Sequence, residues 1–92
     1  MYVLAQIWQD RNTLEYDGFN PIGVYITYRA AEKALWKAVR EARKADYYVR
    51  ESYLPQPYES YTWGLSAEVW LQNSDSTMIM VIRKVHEYNL DN

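Results

Sequence analysis

His86 is the only histidine in this chain of 92 residues, so general acid–base chemistry near neutral pH would start there. It stands beside Arg83, Lys84 and Glu87, with no serine-nucleophile motif, no second histidine and no H-E-x-x-H partner. A histidine at a strand end on the surface is the simpler reading. Asp10, Glu15 and Asp17 share one stretch, but their spacing lacks the alternating oxygens and distal glutamate of a calcium loop. They read as a solvated loop. Gly18, Gly23 and Gly64 are isolated, so neither a phosphate-cradling loop nor a dinucleotide fingerprint is present. The chain has no cysteine, which removes disulfides, thiolate zinc sites, iron–sulfur clusters and thiol catalysis. That usage also suits a reducing compartment. The inventory assigns no catalytic residue, metal ligand or cofactor site, and the expectation is a protein that binds rather than catalyses.

Two groups of side chains point to binding. The first is basic. Arg29, Lys33, Lys37, Arg40 and Lys44 recur at helical spacing, with Arg43 beside them. The segment from Tyr28 to Ala45 holds six basic and two acidic residues, a net +4, while the rest of the chain carries −6 within a total of −2. Such a face is a phosphate or nucleic-acid contact surface, or a solvated face with cations favouring the helix C-terminus. The second group is aromatic: 10 Tyr, 4 Trp and 1 Phe. Tyr47, Tyr48 and Tyr53 surround Arg50, as base-stacking surfaces do, yet there is no RNP-like signature, and overall acidity opposes broad nucleic-acid affinity. Tyr58, Tyr61 and Trp63 fall on a loop-like stretch and make the better candidate anchors for a partner. A nucleotide-like ligand would instead draw on Tyr/Trp faces, with Arg29, Lys33, Lys37, Arg40, Arg50, Arg83 or Lys84 as phosphate partners.

The elements that must position these residues follow from periodicity. From Tyr2 to Gln9 both faces are fairly apolar, which suggests a strand covered on both sides. Residues 10–21 carry the punctuation Asn12, Asp17-Gly18 and Asn20-Pro21 and read as a loop, with a second strand over Ile22 to Thr27. Thr27 is the expected N-cap of a helix from Tyr28 to about Ala45, whose Ala31, Leu35, Ala38, Val39 and Ala42 form one apolar face. Alternation returns from Tyr47 to Leu54 and stops at Pro55-Gln56-Pro57. Leu65 to Gln72 reads as a strand or a short helix, Asn73-Ser74-Asp75-Ser76 as a turn, and Thr77 to about Tyr88 as the return strand. The expected fold is one α+β domain over residues 1–92. It has a mostly antiparallel sheet of four to five strands in the order β-β-α-β-β-β, with a single amphipathic helix on one face. One helix covers one face only, so Tyr2, Trp8, Tyr25 and Trp70 are expected on the other, as contacts of a homodimer.

The stretch Ile22-Gly23-Val24-Tyr25, the helix with Ala30, Ala31, Glu32, Lys33 and Ala34, and the strand from Asp46 to Tyr53 together resemble small proteins encoded by bacteriophages and prophages. The resemblance covers residues 1–54. It implies an accessory protein without enzymatic activity, of the kind that antagonises bacterial defence, as anti-CRISPR proteins do by blocking a host protein or others do by sequestering a nucleotide signal. Nucleic-acid binding through the basic helix is the third function to weigh. Met1 to Gln9 lack a basic leader and run into Asp10-Arg11-Asn12, so they do not read as a signal peptide. No apolar run approaches the roughly 20 residues of a membrane span. The expected address is the cytoplasm of a host cell.

Overall fold

The computed structural model describes residues 1–54 and 66–85. The chain forms β1 (Tyr2–Asp10), β2 (Tyr16–Tyr25), α1 (Tyr28–Lys44), β3 (Tyr48–Tyr53), β4 (Ser66–Gln72) and β5 (Ser76–Lys84). All five strands join one open sheet in the order β2-β1-β5-β4-β3, each neighbouring pair antiparallel. This is the α+β layout that the periodicities predict.

The topology explains why one helix suffices. β2 and β3 lie at opposite edges, and α1 joins them across one face. Seventeen helical residues extend about 25 Å, and the five strands place their outer members about 19 Å apart. The helix therefore reaches from edge to edge. Its ends are closed locally. The Thr27 hydroxyl accepts from the Ala30 amide at 3.2 Å, as expected of the cap. At the other end the Asp46 amide donates to the Arg43 carbonyl at 3.3 Å and the Tyr47 amide to the Ala42 carbonyl at 3.2 Å, a Schellman closure. Asp46 occupies the left-handed position of that motif with φ 66°.

The core lies between α1 and one face of the sheet. Ala31, Leu35, Val39 and Ala42 pack on Leu4 of β1, on Ala67, Val69 and Leu71 of β4, and on Met78, Met80 and Ile82 of β5. The alanines bring the helix backbone close, and Leu35 and Val39 fill the gaps between strands. β5 is the middle strand, and residues 77–82 are all buried.

Three expectations change. β2 starts at Tyr16, six positions before the predicted strand, because β1 offers hydrogen-bond partners along its whole length. The turn residues within it are tolerable at an edge: Pro21 deprives no inner ladder of a donor, and Gly18 leaves space for the Trp8 ring, which would stand 3.1 Å from an added Cβ. The β1–β2 connection shrinks accordingly, with Asp10 Oδ1 accepting from the Asn12 and Thr13 amides at 2.7 and 3.0 Å. Of the two readings open for residues 65–72 the strand holds, with Ser66–Gln72 paired on both sides. The last strand ends at Lys84.

The third change concerns the aromatics. Tyr2, Trp8 and Tyr25 were expected on the face away from the helix, but they pack against the helix-side core. Tyr2 meets Tyr28 edge to face, with ring centroids 5.8 Å apart. An amphipathic helix of alanines is too slim to cover five strands, and these rings complete its margins. The Tyr28 hydroxyl is buried without a hydrogen-bond partner; burial first, and the nearby Glu32 second, push its ionisation well above the ordinary tyrosine range. Of the four rings expected on the far face, only Trp70 is there.

Candidate binding face

The face of the sheet opposite α1 has no covering layer among the described residues. Strand register places its side chains in cross-strand rows. Val24, Val3 and Arg83 form one row with Ser66. Pro21, Ala5, Val81, Glu68 and Tyr53 form the next, and Phe19, Ile7, Ile79, Trp70 and Glu51 the third. The β2, β1 and β5 positions in these rows are apolar apart from Arg83, and acidic side chains enter at Glu68 of β4 and Glu51 of β3.

These rows form a groove of about 860 Å³. Ala5, Ile79 and Val81 are its buried floor. Tyr16 and Phe19 rise on the β2 side, 67% and 66% exposed, and Trp70 rises on the β4 side. The outer pairings contain bulges, at Leu4/Ala5 and Trp8/Gln9 against β2 and at Val49/Glu51 in β3, which bend the strands there. Size and lining are those of a site that receives an apolar body.

The polar end of the groove is self-contained. Arg83 Nη2 donates to Glu68 Oε1 at 2.6 Å, and Trp70 Nε1 donates to Glu68 Oε2 at 3.0 Å. The Trp70 bond first, and Arg83 second, hold the Glu68 carboxyl below the usual range of its type. On β3, Tyr53 donates to Glu51, whose carboxylate also pairs with Arg50 at 3.2 Å. That bond pushes the Tyr53 phenol up.

β2 adds a second feature. It is an edge strand, and its run from Gly18 to Tyr25, continued through Ile26 and Thr27, contains no charged residue. Phe19, Val24 and Ile26 are largely exposed along it. Long uncharged edges are a hazard that free proteins usually blunt with lysines or short strands. Here Pro21 and the two bulges against β1 are what interrupt the edge.

The residues singled out in the sequence do not converge. Arg29, Lys33, Lys37 and Arg40 lie exposed on the outer side of α1. Arg83 is on the groove face, Arg50 at the β3 bulge, and Lys84, the next residue of β5, pairs with Tyr2 on the opposite face of the sheet. They therefore form no common phosphate pocket. Tyr58, Tyr61, Trp63 and His86 lie outside the described residues. The groove residues Tyr16, Phe19, Ile79 and Val81 escaped the sequence reading. The charge-free run, which contains the single phenylalanine, was the signal that could have found the β2 wall.

Among the described residues no cluster of three or more His, Asp or Glu could hold a metal ion, and no helix is long and apolar enough to cross a membrane. Comparison of the chain with protein-family models, with curated proteins and with solved structures found no match.

Proposed function

We propose that the chain is a binding protein, without chemistry of its own, that occupies a surface of another protein through the groove face and the β2 edge. The observation that carries this reading is the uncovered apolar groove beside an uncharged, exposed edge strand. An extended segment of the partner would add to β2 by backbone hydrogen bonds and place alternate side chains against Phe19 and Tyr16. Asp17 and Glu68 line the groove with Arg83 as the one cation, already paired, so the segment that fits is apolar and carries a basic residue. The resemblance over residues 1–54 supports placing that partner among bacterial defence proteins, with the chain as its antagonist.

The same groove argues against the nucleotide-ligand alternative, because its lining has more acidic than basic groups and Arg83 is engaged by Glu68. The test is affinity capture from bacterial extract with the wild type, Phe19→Asp and Lys37→Glu. A protein retained by the wild type and by Lys37→Glu but lost with Phe19→Asp is the expected result. Equal retention by Phe19→Asp would remove the groove from the contact.

A further inference from the structure

The opposite layer of the molecule carries a second surface. Arg29, Lys33, Lys37, Arg40 and Lys44 fall within an arc of about 80° on α1 and extend about 22 Å along its axis. All five are exposed, as is Arg43 at the edge of the arc. Glu32 and Glu41 flank the row and do not enter it. Ala31, Leu35, Val39 and Ala42 anchor the other side of the helix in the core, so the row is fixed facing outward on a rigid rod. Among the described residues its one ion pair is Lys44 with Glu41 at 3.4 Å, which leaves Arg29, Lys33, Lys37 and Arg40 unpaired.

Like charges repeated at i, i+4 oppose helix formation. The row is therefore a local cost that an outside anion would offset. Among the described residues outside α1, the acidic Asp10, Glu15, Asp17, Glu51, Glu68 and Asp75 lie on the strands and their connections, and Asp46 closes the C-terminal end of the helix. A chain with a pI near 5.3 thus presents a predominantly cationic ridge on one layer.

We propose that the outer face of α1 binds nucleic acid through its phosphate backbone. Two observations select that anion. The row has the even spacing of single charges along a straight rod, which suits a regular polyanion. None of the exposed large apolar side chains lies on α1, and Trp36 at the edge of the row is half-buried against the core, so the face lacks the fully exposed anchor that a protein contact or a membrane surface would use. Contacts to phosphate oxygens carry no sequence information, so binding through this row is independent of sequence. This surface shares no residue with the groove, and the two proposals stand separately.

The test is fluorescence anisotropy of the full chain with labelled duplexes of about 20 base pairs in two unrelated sequences, titrated with salt. Four unpaired cations predict a slope of log K on log salt of about −3.6, or roughly a 100-fold loss of affinity between about 50 and 200 mM. Lys33→Glu with Lys37→Glu should weaken binding at least about tenfold at the lower salt, and Arg40→Gln alone should reduce the slope by about 0.9. Arg83→Gln, on the other layer, should leave binding unchanged. Circular dichroism shows whether each variant is folded. Absence of binding at the lower salt would overturn the proposal. So would wild-type affinity in the folded double variant, a strong preference between the two duplexes, or polyglutamate competing as well as unlabelled duplex at equal charge.

Discussion

Trp70 Nε1 donates to Glu68 Oε2 at 3.0 Å while Arg83 holds the other oxygen of the same carboxylate. The two residues stand two apart on β4, so their side chains share the groove face, and the indole is pinned upright as one wall of the groove. A wall that is fixed before anything binds loses little freedom on binding.

This bond has a titration signature. The Glu68 carboxyl is depressed below its ordinary value of 4.5, with Trp70 as the largest cause. Trp70→Phe keeps the aromatic wall but removes the donor, so the carboxyl should titrate higher, as read by NMR of the side-chain carbonyl. The sign for stability follows from the depressed value. Glu68 contributes stability above about 4.5 that is lost as pH falls through its lower folded pKa. The acid-induced loss of thermal midpoint should therefore be smaller in Trp70→Phe.

A second prediction concerns the end of α1. Asp46 sits in the left-handed region at φ 66°, where a Schellman closure ordinarily takes glycine. Removing its Cβ relieves strain and outweighs the added freedom of the unfolded chain. Asp46→Gly should stabilise the protein by about 0.5–1 kcal/mol, measured by urea denaturation. A loss of stability would show that the Asp46 side chain does more at this turn than its backbone geometry indicates.

Stability and binding should separate between the two layers. Leu35 is fully buried beneath the helix, and Leu35→Ala should cost about 2–5 kcal/mol. Phe19 is as large but 66% exposed, and its main neighbour is Ile7 across the strands. Phe19→Ser should cost less than about 1 kcal/mol in denaturation while weakening partner capture. A core-sized loss at Phe19 would make it a structural residue.

Much of the fold was legible because the signals were local. Thr27 before an Ala/Leu stripe marks α1, and the Asn73 side chain, which accepts from the Asp75 and Ser76 amides at 2.8 Å, marks the last turn. What escaped depends on pairing at a distance. Asp17-Gly18 and Asn20-Pro21 look like loop because turn chemistry does not reveal that β1 lies alongside and that β2 is an edge. Tyr2, Trp8 and Tyr25 alternate as expected, but alternation does not say which face the helix takes. The groove was hidden for the same reason: Phe19, Ile7, Ile79 and Trp70 come from four strands and meet only in the register of the sheet.

The central claim is that the groove face and the β2 edge contact another protein. The most direct measurement places a photo-reactive benzophenone side chain at position Phe19 and, as a control, at the exposed turn position Ser74, then irradiates bacterial cells producing each variant. One discrete adduct with a foreign protein is expected from position 19 and none from position 74. No adduct from position 19, the same adduct from both positions, or an adduct only with a second copy of the chain would contradict it.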